Sequence, residues 1–467
     1  MTDGDLDAVV LGGGPAGLAA AWFVARAGCR VALVERSQVV GGLAGSFEVG
    51  GVRVDHGSHR LHERTDPQLL ADLRGLLGVE LQHRPRHGRI RLDGRWVAFP
   101  LRPLDLVRRA SPSFAVRAVA DLAWAPVRRR RDNGADTFAA RVRVGLGPAV
   151  AERFYEPYAR KLFGIAPDQL SGELFRRRVG ARSGGGVLRR LLSRRAPGFW
   201  YPAGGFGRLA EAIADAAVAS GAILHTGVAV TAVEPRADER GATVELADGR
   251  RLAAHRVFST LPASVTTSLY GDEHVDLETR EAVAALAYRA ALLVYLVVPR
   301  RPYTEFDAHY FPELRTPMAR LSEPANYRTS SLDPADRTVL CAELPGSTDD
   351  PWWSLDPPEL GRMVAAALVD VGLPDPTPVD VVVRRVPHVY PVYRVGHTEH
   401  QSRLEAWADR RPELVLFGRQ PLFAHDNTHH GLAMGRAAAS CLAPGGAFDR
   451  DRWRDLRADF RDYVVED

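Results

Sequence analysis

Lysine is almost absent from this chain. Of its 61 lysines and arginines a single one is lysine, Lys161, inside the stretch YARKLFG. An arginine-rich composition tolerates one lysine by drift, yet a compact ammonium with three rotatable donors also suits a spot where a planar guanidinium fork does not fit. Cysteine is scarce too. Cys29, Cys341 and Cys441 are odd in number, far apart and without a CxxC pair, which excludes a disulfide framework and a cysteine zinc site and points to a reducing, cytoplasmic compartment. No apolar run reaches the ~18 residues needed to span a bilayer. The opening MTDGDLD is acidic where a signal peptide needs basic residues. A net charge of +4 over 467 residues is a mild excess that suits an anionic small molecule and does not indicate nucleic acid.

What is present is ordinary for a globular protein: 46% hydrophobic and 25% charged residues, in a chain long enough for two or three subdomains. Arg128 to Arg131 run together, and LRRLLSRR (188–195) mixes leucine and arginine at helical spacing. Both read as solvated helix faces rather than as a membrane-surface helix, so peripheral membrane contact is not favoured.

The first fifty residues carry the most specific signal. LDAVVLGGGPAGLAAAWFVARAGCRVALVER (6–36) reads as strand, glycine turn, helix and strand. Pro15 suits the first turn of the helix, where its missing N–H costs nothing, and Gly28 ends it. Gly12, Gly14 and Gly17 form G-x-G-x-x-G. The first permits the turn, the second admits a pyrophosphate to the backbone, and the third lets helix and strand pack closely. The helix N-terminus then offers N–H groups and a positive dipole to that anion. Glu35 closes the second strand where a ribose hydroxyl is accepted. Strand, helix, strand and acid in register imply dinucleotide binding.

Arg36, the pair Gly41–Gly42 and the hairpin SFEVGGVRVDHG follow Glu35. This continuation resembles the FAD-binding start of the amine oxidase, protoporphyrinogen oxidase and UDP-galactopyranose mutase group, in which the Gly-Gly stretch lies along the cofactor. FAD is therefore the cofactor that the resemblance implies. DHGSHRLH (55–62) resembles the mutase loop whose histidine sits against the flavin, which gives His59 a catalytic and cofactor-facing role. Ser58 stands where the mutases have a glycine. RHGRIRLDGRWVAFPLRP (86–103) looks like a strand pair leading to an aromatic-proline turn.

FYEPYARKLFGIAPDQLSGELFRRRV (154–179) is similar to a mutase stretch that lines the substrate pocket. There the resemblance implies substrate contacts for Tyr158, Phe163 and Arg178, and puts Lys161 on a motif lysine with a local, structural role such as binding carbonyls. Further on, it places the backbone of Val230 against the adenine, and Arg320 (in RLSEPANY) and Tyr390 (in HVYPVY) at a substrate diphosphate. LFGRQPLFAHDNTHHGLAMGRAAASCL (416–442) resembles the closing FAD segment, with Gly418, Arg419, Asn427, His430 and Leu432 beside the cofactor. A tyrosine of the family is missing from this loop, where Phe423 and His425 stand. His425, His429 and His430 lack a supporting cysteine or helical pair, so no metal is expected.

The expected fold is α/β: a doubly wound, Rossmann-like FAD-binding domain in three parts (1–103, 199–264 and 381–445). A helical insertion (104–198), a β-sheet substrate domain (265–380) and a C-terminal tail (446–467) complete it. Two reactions fit a small-molecule substrate. Oxidised flavin can accept a hydride, as in an oxidase, dehydrogenase or desaturase. Alternatively, reduced flavin can attack an anomeric carbon, as in the sugar-nucleotide mutases, which needs cations for an anionic diphosphate. The departures at Ser58, at Ala159 (where the family often has a polar pocket residue) and at the missing tyrosine all lie at the substrate end and put the redox reading first.

Overall fold

The computed structural model describes residues 5–99, 108–130, 132, 134–179, 198–237 and 241–465. The segment LRRLLSRR and the end of the 86–103 stretch lie outside them. The first strand, β1 (Leu6–Leu11), runs into the helix α1 (Pro15–Arg26), and β2 (Val31–Glu35) returns parallel to β1 with Ala8 opposite Val31. From Ala8 to Leu11 and from Val31 to Val34 the strands are continuous apolar runs, because both faces of the sheet are covered. The sheet extends from β2 to Ile223–Thr226, and from β1 to the long strand Arg251–Ser259. The first half of that long strand pairs antiparallel with Ala242–Leu246, which in turn pairs with Val230–Pro235. Its second half pairs parallel with Leu414–Leu416.

α1 packs against the helices Gly207–Ala219 and Thr428–Ser440. Leu209, Ile213 and Ala217, spaced for one helical face, are all buried there. Gly435 lets the closing helix lie on α1, since a Cβ at that position would strike the Ala16 carbonyl. Segments of each of the three stretches, within residues 6–35, 207–259 and 414–440, thus meet in one sheet-and-helix layer.

The second sheet has seven strands, in the order Asp380–Pro391, Tyr288–Val298, Thr338–Gly346, Arg320–Ser322, Ala308–Tyr310, Gly88–Leu92 and Arg95–Phe99. It therefore reaches beyond 265–380. Ala308–Tyr310 pairs in parallel with Gly88–Ile90, so the hairpin at 88–99 joins this sheet rather than the nucleotide-binding one. The run AALLVYLVV is buried on both faces. Leu292, Val294 and Leu296 pack toward the helix Pro357–Asp370, while Leu293, Tyr295 and Val297 pack toward the hairpin Ser46–Val49/Val52–Asp55.

The insertion is helical as expected over its described part, with helices at Pro112–Arg130, Phe138–Leu146, Glu156–Phe163 and Gly172–Arg178. It is tied to the second sheet by Lys161. The Lys161 ammonium donates to three carbonyls, those of Phe311 (2.6 Å), Glu313 (2.5 Å) and Met318 (3.1 Å). Three donors meet three acceptors in a buried spot, a task that the compact ammonium does and the flat arginine fork does not.

Candidate functional site

The glycine turn is built for an anion. Gly12 has φ +102°, and a Cβ on Gly17 would collide with the Gly12 carbonyl, so both positions require glycine. Gly14 caps α1 in an extended conformation with no side chain capping the helix, and a Cβ there would meet nothing within 4 Å. Open space in front of uncapped helical N–H groups fits a pyrophosphate. Glu35 Oε2 accepts from the Gly13 N–H at 2.7 Å and Oε1 from the Ser37 N–H at 2.8 Å, which fixes the carboxylate at the strand end. Gly41 donates to the Gly13 carbonyl at 2.7 Å, and Gly42 lies over Gly14. Val228 donates to the Glu35 carbonyl at 3.2 Å, and Val230 follows at a register shift in its strand. Gly418 packs on Ala16, which brings the closing segment to the same turn. Six of the sequence-named positions around this turn therefore converge: Gly12, Gly14, Gly17, Glu35, Gly41 and Gly42.

Other named positions sit differently. Arg36 is exposed, close enough to His388 to lower its pKa after burial has done so. Arg419 spends its fork on two carbonyls, those of Asp426 and Val389, both at 2.8 Å, so it clamps the loop to a strand end. Leu432 is fully buried in the core. Asn427 begins the closing helix and donates its N–H to His430 Nδ1 at 3.2 Å. The His430 ring lies between His429 and Tyr463, with centroids 4.0 and 4.4 Å away. His425 meets the Pro391 carbonyl at 2.7 Å. His425 and His430 are thus each engaged by a backbone group.

The histidine loop is anchored by a residue that the sequence reading passed over. Asp55, buried at the end of the hairpin, accepts from the Ser46 hydroxyl (2.6 Å), the Phe206 N–H (2.9 Å) and the Tyr201 hydroxyl (2.6 Å). Tyr295 donates to the Asp55 carbonyl at 2.6 Å. The segments DHGSH and WYPAGGFG are thereby locked together. His59 then stacks on Phe206 at 5.5 Å, and its Nε2 meets the His56 carbonyl at 2.9 Å. That contact assigns the proton to Nε2 and leaves Nδ1 as acceptor. Burial pushes the imidazole pKa down, which keeps the ring neutral. Arg60, between the rings of Phe199 (5.0 Å) and Tyr327 (4.8 Å) and 3.3 Å from Asp307, holds the other side of the loop.

Around this loop the structure gathers the substrate-end residues. Tyr310, Tyr390, Arg178 and Arg320 all lie close enough to Tyr158 to act on its ionisation, and Arg320 and Arg178 act on that of Tyr390 as well. Phe163 stands edge-on to Tyr390 at 6.3 Å and to His425 at 5.4 Å. Burial pushes the Tyr390 phenol up to about 12 and that of Tyr158 higher still, so both stay protonated. Arg320 is held by a carboxylate. Its Nε and Nη2 donate to Glu343 Oε1 and Oε2 at 2.9 and 2.8 Å, and Glu343 also accepts the Ser58 N–H at 2.8 Å. The cation expected to meet a diphosphate is already neutralised by a buried carboxylate. A signal for Glu343 was in view: it is the one acid in the otherwise apolar strand TVLCAELPG. Tyr310 carried none.

With this geometry in place the comparisons become informative. The chain belongs to the family of flavin-containing amine oxidoreductases, which matches it over residues 15–442. It is 30% identical over 325 residues to a phytoene dehydrogenase of Streptomyces griseus, covering 60% of this chain and 59% of that one. It is 32% identical over 301 residues to a hydroxyneurosporene desaturase of Cereibacter sphaeroides, covering 56% and 58%. The alignments thus span just under three fifths of the length of those relatives. Among solved structures, a reduced UDP-galactopyranose mutase superimposes with a TM-score of 0.80 at 20% identity, covering 99% of this chain and 100% of that one. A cyclohexylamine oxidase from Brevibacterium oxydans gives 0.69 at 17% identity, covering 97% and 100%. Those likenesses show the fold. The cofactor is a flavin, and the open cradle at Gly14, the oriented Glu35 and the Gly41–Gly42 crossing fit its adenine dinucleotide form.

Proposed function

We propose that this protein is an FAD-dependent desaturase or dehydrogenase that removes a hydride and a proton from neighbouring carbons of a lipophilic substrate. The observation that carries the reading is the closed Arg320–Glu343 pair among aromatic rings. A sugar nucleotide needs free cations for its diphosphate, whereas a carbon skeleton needs an apolar wall and one proton acceptor. The names of the curated relatives support the same class. FAD, when bound, supplies the two-electron acceptor. Tyr158, Phe163, Tyr310 and Tyr390 form the wall that orients the substrate and excludes water. The substrate C–H bond that does not give the hydride gives its proton to Nδ1 of His59, whose other nitrogen is committed to the His56 carbonyl.

Anaerobic mixing of the purified flavoprotein with phytoene, with a primary amine and with a UDP-sugar tests this. Bleaching of the flavin absorbance by the hydrocarbon is the expected result. Tight UDP binding after dithionite reduction, with no bleaching by any reductant substrate, overturns the reading in favour of a sugar-nucleotide mutase.

A further inference from the structure

The helix Pro112–Arg130 is turned the opposite way from an ordinary surface helix. Phe114 and Ala118 face inward and are buried, Phe114 in one cluster with Ile90, Ala149 and Phe154. On the outward face Val116 is 70% exposed, Val119 61% and Trp124 61%, with exposed Ala120 and Ala123 between them. At 100° per residue these five side chains form one continuous stripe. The acid of this helix is withdrawn from that stripe: the Asp121 carboxylate accepts the Ala149 N–H at 2.8 Å and pairs with Arg128 at 3.4 Å. Among the described residues, the charges that remain exposed along the stripe are Arg117 and Arg130. A solvated helix face does not account for an exposed tryptophan between two valines and two alanines.

We infer that this helix lies on an anionic lipid bilayer, with Val116, Val119 and Trp124 seated at the headgroup–acyl boundary and Arg117 and Arg130 on lipid phosphates. Charge complementarity decides between the two occupants an apolar stripe can have. A second copy of the chain in a two-fold contact would bring arginines against arginines, whereas an anionic surface neutralises them. Among the described residues no helix is long and apolar enough to cross a membrane, so the helix rests in the interface and does not span it. The inner face of the same helix belongs to a cluster that includes Phe154, Tyr155, Tyr158 and Tyr310. The inner face of the helix and part of the aromatic wall therefore share one apolar cluster. Only this route for a lipophilic substrate rests on the reading above; the docking itself does not.

The test is co-sedimentation of the FAD-loaded full chain with vesicles of phosphatidylcholine alone and with phosphatidylglycerol as roughly a third of the lipid, enough for a strong negative surface potential. Binding to the anionic vesicles and little to the neutral ones is expected. Arg117→Gln with Arg130→Gln should weaken binding about 30-fold, from about 1 kcal/mol for each arginine near the surface. The combined Val116→Ser, Val119→Ser and Trp124→Ser variant should abolish it. Unchanged circular dichroism and flavin content show that these exposed substitutions leave the fold intact. No binding by the parent chain, or equal binding by all variants, overturns the inference. Self-association that the serine variant abolishes, without vesicle binding, overturns it in favour of a second copy. Flavin reduction by detergent-dispersed substrate is scored separately. Its failure with vesicle binding intact counts against the desaturase reading and not against the membrane surface.

Discussion

Arg320 and Glu343 stand directly opposite each other on adjacent antiparallel strands and join through two hydrogen bonds of 2.9 and 2.8 Å beneath the histidine loop. Their side chains are 18% and 5% exposed, so neither charge is left to water. Breaking such a pair from one side leaves a buried charge uncompensated. Glu343→Gln is expected to lower unfolding free energy by about 3 kcal/mol, measured by denaturant titration of the flavin-loaded protein. The same change should give the protein a measurable affinity for UDP, because it releases the Arg320 cation. If Glu343→Gln is as stable as the parent and gains no nucleotide binding, the pair is not what keeps diphosphates out.

Lys161 offers a sharper contrast. Its three carbonyl partners lie some 150 residues away in sequence, and Lys161, Phe311 and Met318 are buried. Lys161→Met leaves three carbonyls without donors and should cost about 3–5 kcal/mol. Lys161→Arg keeps the charge, yet its planar fork cannot point at three acceptors arranged around one nitrogen, so a loss of about 2 kcal/mol is expected. Thermal melting of both variants decides the matter. An arginine variant that melts with the parent would mean that the single lysine is drift.

These two contacts also mark where the sequence stops being readable. The turn at Gly12–Gly17, the acid at Glu35 and the hairpin at 46–55 depend on neighbours within about 40 residues, so local glycine chemistry and apolar alternation reveal them. The Asp248–Gly249 turn is legible for the same reason, with Gly249 at φ +86°. Arg320 was visible as a basic residue in a family-like segment, but its partner is set by strand register, which a one-residue slip would change. The joining of Gly88–Leu92 to Ala308–Tyr310 is a parallel pairing across more than 200 residues, and no turn announces it. Nor does periodicity say which face of Pro112–Arg130 looks inward, because the helix carries apolar residues on both.

The glycines of the cradle separate folding from cofactor binding. A Cβ at Gly14 enters open space, and the backbone there has φ −76°, which alanine adopts freely. Gly14→Ala should therefore leave the flavin-free protein within about 1 kcal/mol of the parent while flavin retention through desalting falls at least tenfold, as expected if a pyrophosphate occupies that space. Gly17→Ala should instead destabilise the fold by about 1–3 kcal/mol, since its Cβ meets the Gly12 carbonyl. Flavin absorbance per protein and the melting temperature of the apo form read the two effects independently. Full flavin retention in Gly14→Ala would place the cofactor elsewhere.

Acid sensitivity should be governed by Glu173. Its carboxylate takes Arg177 Nε at 2.9 Å and lies 3.4 Å from His397 Nε2, beside the residues that carry Arg178. Burial works against its charge, but His397 and Arg177 outweigh it and hold the pKa down at about 2, below the ordinary 4.5. A folded-state pKa below the unfolded one means that the unfolded chain binds the proton more readily. The contribution is therefore complete above about 4.5 and is lost as pH falls toward 2. It is on the order of 3 kcal/mol. Asp426, 3.8 Å from Arg177, has the opposite sign: burial pushes its pKa up from 3.8 to about 6, so its ionisation reduces stability as pH rises across that interval. Melting temperature against pH should fall more steeply below 4.5 for the parent than for Glu173→Gln, which cannot take up the proton. Asp426→Asn should flatten the curve between 4 and 6 instead. Parallel acid limbs for the parent and Glu173→Gln would show that this carboxylate is already protonated in the fold.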